Sequence, residues 1–363
     1  MNFRDKFWQA LSEIEISEDL PSEKMAEKLS KVEEIIKPHL PPSVFKYRSC
    51  NKNNCDALAR NVIYAAPASY MNDPFDSLVY VDKEYIINSV RYGLSRQFID
   101  DIRLRKSLPD SILKLLSDDT AHAIVEEFLK LTEEEIEKQA SENAARLQDI
   151  IANIDLYIKQ SIKDIQNLSF ISSFATSPDD PSMWNRYAGE HKGFVLEYPV
   201  DNTRFDFCRM CPDANTDKCD KSIVQAYWYP IVYRDERFDA TIHIDNRIGK
   251  LALALLNPGQ PINYIPDMLF YDKCCLAKGK TWERENEWRL VCYPKWRMTE
   301  IKPVAIHTPV PTAIYYGSEI KEEDFRLLHN IIADLRSKGA NIKEYQMYMD
   351  PYSKDFNLKC REV

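Results

Sequence analysis

The stretch SFISSFATSPDDPSMWNRYAGEHKGFVLEY, residues 169–198, reads as strand, short helix and strand within thirty residues. Asp180 is placed to cap the helix N-terminus, Pro181 suits its first position, and Gly189 stands where a left-handed glycine ends a helix. Trp184 and Tyr187 lie three apart and share a helix face, with Trp184 read as core and Tyr187 as either core or ligand wall. His191 and Gly193 fill the turn into the strand Phe194–Tyr198, which carries Glu197. His191 sits among Glu190 and Lys192, so it reads either as an exposed turn residue or as a proton-transfer group.

Working outward, Phe3, Phe7 and Leu11, then Met25, Leu29, Val32 and Ile36, recur at helical spacing, giving an N-terminal helical segment over 1–42 that Pro38, Pro41 and Pro42 close. Strands are expected at Val44–Arg48 and Val62–Ala66, with a short helix near Asn54–Arg60 between them. Residues 83–167 turn helical and charged. From Glu126 to Asn167 neither Pro nor Gly occurs, and Ile136, Leu147, Ile151, Ile154 and Ile158 share a face, so a long helix or helical hairpin is inserted there. A Cys-rich insertion spans 205–225. Further strands are read at Tyr229–Asp235, Glu287–Tyr293, PVAIHT, PTAIYYG and NIKEYQMYM, with helices near Asp245–Leu256, Pro266–Ala277 and Glu322–Ser337. The expectation is one α+β domain over 43–348 with a mixed or antiparallel sheet core and a long helical insertion, followed by a tail at 349–363.

With 363 residues the chain can bury a large core, and its net charge of −9 disfavours indiscriminate adhesion to nucleic acid or anionic lipid. The N-terminus has no signal-peptide core and no apolar run reaches spanning length, so a soluble, cytoplasmic protein with no membrane partner is expected. Only eight glycines occur, and no two make a phosphate loop, a dinucleotide fingerprint or a nucleophile elbow. Nine cysteines without a secretion signal point to reduced thiols or a metal. Cys208, Cys211 and Cys219 have a spacing that suits a structural zinc, with Cys274, Cys275 or a histidine as fourth ligand; ordinary loop thiols are the alternative.

Three further groups could carry chemistry. Arg48 ends a strand, where it would hold a phosphate or carboxylate bidentately or pair with a structural acid. Asn72-Asp73-Pro74-Phe75-Asp76 reads as a rigid turn with Phe75 in the core, or as a source of metal-binding carboxylates. Glu285, Glu287 and Arg289 alternate, so they share a face, which is costly unless that face is a wet cleft or a paired network.

The blocks FKYRS (45–49), SYMNDPFD (69–76), MWNRYAGEHKGFVLEY (183–198) and WERENEWR (282–289) together resemble the bacterial domain of unknown function 2971 family, over residues 44 to 320 without the two insertions. That family name implies no activity. An Arg on an early strand, a Ser-bearing strand and a Glu opening a late strand are similar in layout to the ADP-ribosyltransferases. The similarity implies an ADP-ribosyltransferase-like fold using NAD. Arg48 would take the dinucleotide phosphate, Ser172 or Ser173 would support the nicotinamide pocket, and Glu287 would act on the ribose, with Tyr187 and Arg289 beside it. The expected function is an NAD-dependent transferase, a toxin or phage-defence effector acting on protein or nucleic acid. A metal-dependent nuclease using Asp73, Asp76, Glu197 and Glu287 and a non-enzymatic nucleotide- or peptide-binding module are the alternatives.

Overall fold

Helical and extended periodicities set the element order, which a computed structural model describes for residues 1–16, 20–113, 116–208, 223–256, 267–294 and 301–363. The first part comprises α1 (Phe3–Glu13), α2 (Ser22–Ile36), β1 (Ser43–Arg48), α3 (Lys52–Ala59) and β2 (Val62–Pro67). The helical insertion follows as α4 (Lys83–Gly93), α5 (Arg96–Arg105), α6 (Asp110–Leu113), α7 (Asp118–Lys130) and α8 (Glu133–Leu168). Next come β3 (Phe170–Phe174), α9 (Pro181–Tyr187), β4 (Phe194–Pro199), β5 (Arg204–Cys208), β6 (Ile223–Pro230), β7 (Val232–Arg234), α10 (Thr241–Leu256), α11 (Phe270–Leu276) and β8 (Ala277–Gly279). The chain finishes with β9 (Trp288–Pro294), β10 (Val304–His307), β11 (Ala313–Tyr316), α12 (Glu322–Ser337), β12 (Lys343–Tyr348) and β13 (Lys359–Glu362).

The strands form an antiparallel six-stranded sheet, β10-β2-β3-β9-β6-β5, and a mixed five-stranded sheet, β1-β4-β11-β12-β13, in which only β11 and β12 run parallel. A two-stranded parallel pair, β7-β8, completes the set. The fold is thus α+β with mixed and antiparallel sheets and a helical insertion, as expected. The two large sheets touch where the chain leaves β3: Ala175 exchanges both backbone hydrogen bonds with Phe45 of β1, each 2.9 Å long.

Strand β1 is covered on both faces, and its alternation shows how. Val44 points into the large core that also takes Phe194, Leu196 and the α12 residues Leu328 and Ile332. Phe45 and Tyr47 point the other way, to Trp184, Val195 and Tyr315. Lys46 and Arg48 continue the Val44 face into a cleft between the sheets.

Two boundaries and one side-chain placement differ from expectation. Residues 1–42 are not a segment apart, because Phe7, Leu11, Val32 and Ile36 are buried in the main core. The supposed tail at 349–363 supplies β13, the edge strand beside β12, since a sheet edge with free backbone groups gains hydrogen bonds by accepting another strand. Phe75 is 63% exposed and not in the core. The turn around it is held by its own polar groups, the Asp73 carboxylate accepting from Phe75 N–H at 2.9 Å, so the ring need not anchor it. Helix α8 runs unbroken for 36 residues behind a Thr132–Glu135 capping box. The insertion packs through two apolar clusters, one around Ile86, Ile154 and Ile158 shared with Ile244 of α10 and Phe270 of α11, and one of its own around Phe98, Ile102 and Ile124.

The quoted 169–198 unit folds as read. Asp180 accepts from Ser182 N–H, Pro181 opens α9, and Gly189 has φ +59°. Trp184 is fully buried, donates from its indole nitrogen to the Pro178 carbonyl at 2.7 Å, and meets Tyr47 edge to face at 5.5 Å. Its removal leaves a large void and an unpaired carbonyl. Trp184→Ala should therefore destabilise the protein by about 3–5 kcal/mol, read as a shift in a urea unfolding midpoint at unchanged slope.

Candidate active cleft

Five of the expected residues come from separate stretches of the sequence, and the fold brings them together. Arg48, Ser172, Ser173, Tyr187 and Glu287 all line one cleft of about 870 Å³, together with Lys46, Arg186, Lys278 and Glu285. That volume is in the range of small-molecule sites, which run from about 300 to 1,000 Å³. Its position between two sheets follows from the β1–β3 contact, which sets the two Ser residues opposite the end of β1.

The carboxylate wall is a closed ion network. Arg289, 0% exposed, donates from Nη1 and Nη2 to the two oxygens of Asp76 at 2.8 and 2.5 Å, and from Nε to Glu287 at 2.8 Å. Nη1 also reaches the Cys275 carbonyl at 2.5 Å. Lys278 donates to Glu287 at 2.7 Å and to Glu285 at 2.9 Å. Tyr187 Oη donates to Glu285 at 2.7 Å, and Arg186 stands 3.6 Å from the same oxygen. Burial alone would raise the Glu287 carboxyl, but Arg289 and Lys278 overcome it and hold it at about 2, against an ordinary 4.5.

The backbone that presents Glu287 is fixed from the N-terminus. A 3-10 turn over Lys280–Glu285 ends at Asn286 in the left-handed conformation, and β9 starts only at Trp288. Glu285 and Glu287 therefore converge through a turn and not by strand alternation. Glu287 N–H donates to Tyr233 Oη at 2.7 Å, while Arg4 of α1 donates to the Glu287 carbonyl at 3.1 Å and to Asn286 Oδ1 at 2.5 Å.

The opposite wall is cationic. Lys46, 8% exposed, donates to Ser172 Oγ at 2.9 Å and to the Ser173 carbonyl at 2.5 Å, with Phe174 4.6 Å beneath its ammonium. Burial, reinforced by Arg48, pushes its amine well below the usual lysine range. Burial likewise lowers the Arg48 guanidinium. Among the described residues neither side chain forms an ion pair with a carboxylate. Gly193 sits behind Arg48 so closely that a Cβ there would collide with the Arg48 carbonyl, which is why this turn takes glycine.

Other expected residues lie elsewhere. His191 does not line the cleft: at φ +66° it stacks on Trp184 at 6.5 Å, with Nδ1 buried and unpartnered. The tight turn between Gly189 and Gly193 aims the ring back over the indole and not toward Glu287. Arg289 lies beneath the cleft lining, its guanidinium committed to Asp76 and Glu287. The four carboxylates considered for a metal do not gather, because Glu197 is on β4 of the other sheet and accepts from Tyr315 Oη at 2.8 Å. Among the described residues no His, Cys, Asp or Glu cluster could hold a metal ion. Cys211 and Cys219 lie outside the described residues, as does the side chain of Cys208, which ends β5.

Lys46 and Lys278 are the members that sequence reading passes over. The signal for Lys46 was present: it stands two residues before Arg48 on a strand, so the two share a face. Lys278 gave none, since it follows the apolar run CCLA with no patterned partner.

The network generates two expectations. Arg289→Met leaves Asp76 and Glu287 buried without their main cation and should destabilise by about 3–5 kcal/mol in a denaturant titration. The ionised Glu287 has a folded-state value below its unfolded one. Its stabilisation is complete above about pH 4.5 and disappears as pH falls toward 2. Unfolding midpoints followed across that window should fall steeply in the native protein and less steeply in Glu287→Gln.

No curated protein and no solved structure matches the chain. Among the described residues no helix is long and apolar enough to cross a membrane. Residues 183–290, the stretch that carries Tyr187, Lys278, Glu285 and Glu287, match the family model described as Protein of unknown function (DUF2971).

Proposed function

We propose that the cleft binds a nucleotide of the NAD class and that the chain is an ADP-ribosyltransferase-like enzyme, transferring the ADP-ribosyl group to a protein or nucleic acid. One observation carries the reading: Arg48, Ser172, Ser173 and Glu287, from three separate strands or their flanks, face a single cleft with cations on one wall and a fixed carboxylate on the other. In this reading the Arg48 fork takes a phosphate. Ser172 and Ser173 lie beside the nicotinamide end. Glu287, kept ionised at any physiological pH by Arg289 and Lys278, faces the ribose. As the nicotinamide bond breaks, positive charge grows on the ribose. A carboxylate already in place stabilises it without reorganisation. Glu285, bridged to Tyr187, is the second carboxylate at that position.

A non-enzymatic nucleotide-binding module is the second reading. It is favoured by the fact that both Glu287 oxygens already accept from cations, as they would in a purely structural network.

Thermal shift and turnover with NAD separate the two. A ligand at 100 times its Kd stabilises the native state by about 2.7 kcal/mol, so NAD should raise the melting temperature in both readings and be consumed only in the first. Glu287→Gln should lower turnover at saturating NAD by about 10²-fold, measured on the fraction that remains folded. Arg48→Lys keeps the charge but loses the fork, and should weaken NAD binding by about tenfold with turnover at saturation retained. Protein that neither binds nor consumes NAD would remove both uses of this ligand.

A further inference from the structure

We propose that Lys46 and Arg48 form a phosphate subsite at the β1 wall of the cleft, and that phosphate binding there draws a proton onto Lys46. The inference deepens the nucleotide reading and rests on it for the presence of a phosphate in the ligand.

The argument begins with β1. Residues two apart on a strand share a face, so Lys46 and Arg48 point together into the cleft that both line. Two cations side by side with no paired anion repel each other, and burial penalises the charged form of each. A guanidinium does not give up its proton under ordinary conditions, so the cost falls on the amine.

The groups around the amine fit a lysine that is neutral in the empty cleft. From β3 come the Ser172 hydroxyl and the Ser173 carbonyl, both uncharged partners. From β1 comes Arg48, and from β9 Arg289, each disfavouring a charge on Lys46. The one favourable charge is Glu287, which lies outside ion-pair reach of Lys46 and is committed to Lys278 and Arg289. Lys278 and Glu285, across the cleft, are committed to each other. The burial-lowered amine agrees with this geometry.

A phosphate between Lys46 and Arg48 changes the balance. Its charge supplies the missing anion, favours the ammonium, and gives Lys46 a charge-assisted hydrogen bond beside the Arg48 fork. Binding then takes up a proton from solvent, and affinity falls as pH rises. The covalent structure is unchanged: one proton moves from buffer to Lys46 Nζ.

ADP is the probe, because it carries two phosphates and no nicotinamide. Calorimetric titrations at pH 8 in HEPES and in Tris, which differ in ionisation heat, report the protons exchanged. The expected result is an uptake approaching one proton per ADP in the native protein, with affinity decreasing from pH 7 to pH 9. Lys46→Met should remove the lysine's share of that uptake and weaken ADP binding by about tenfold. Any proton change belonging to the nucleotide itself persists in the variant. The native titration needs no substitution, so a variant that failed to fold would leave the test intact.

Buffer-independent heats, uptake undiminished in Lys46→Met, or absence of ADP binding would each overturn the subsite. Proton-coupled ADP binding in a protein that does not consume NAD would remove the transferase reading and leave the subsite standing. NAD consumption with ADP binding that exchanges no proton would do the reverse.

Discussion

The cleft depends on a guanidinium from which water has been excluded. Arg289 lies on β9 in the middle of the six-stranded sheet, and an unpaired charge there would cost several kcal/mol. Asp76 must therefore come to it from the turn after β2, and Glu287 must turn back from the start of the same strand. Lys278 follows, because Glu287 and Glu285 together bring more negative charge than Arg289 can offset alone. The loop after β2, the end of α11, β8 and the 3-10 turn are thus fixed by a single set of ion pairs. Without the guanidinium, Lys278 still ties β8 to Glu285 and Glu287, but the loop carrying Asp76 loses its ion pair to that wall.

That network also explains what was legible in the sequence and what was not. Local patterns carried the secondary structure well: the Asp180–Pro181–Gly189 punctuation set α9, and the Pro- and Gly-free run set α8. The face shared by Glu285, Glu287 and Arg289 was legible as an unusual cost, and the cost is met by pairing. The identity of the partners was not legible, because Asp76 is 213 residues from Arg289 and nothing in either neighbourhood marks the other. His191 misled for a related reason. A histidine in a polar turn looks available, yet left-handed backbone at Gly189, Glu190 and His191 folds the ring over Trp184. The N-terminal helices looked peripheral because their apolar stripe says only that something covers it. What covers it is the main core, and Arg4 reaches through to the backbone of Glu287.

The two walls of the cleft differ in how their charges are satisfied, and this difference bears on mechanism. On the β9 side Glu285 and Glu287 each have a cation, so both are held in place, and Glu287 stays ionised. A ligand need not orient them, and the field they present costs nothing to assemble when charge develops on a bound group. On the β1 side Lys46 bonds to neutral groups, and among the described residues neither it nor Arg48 pairs with a carboxylate, so that wall has charge left for an anion. A ligand with phosphate at one end and a group that becomes cationic at the other would complete the β1 wall on binding and use the β9 wall only as its bond breaks. Binding energy would then come mainly from Lys46 and Arg48, and stabilisation of the developing charge mainly from Glu287. An anion drawn to the β1 wall does not have to compete for Lys278 or Arg289, whose charges are already spent on the carboxylates beside them. The separation of the two roles follows from the topology, because β1 and β9 belong to different sheets, joined beside the cleft by the Phe45–Ala175 bridge and by the bonds of Lys46 to the β3 serines.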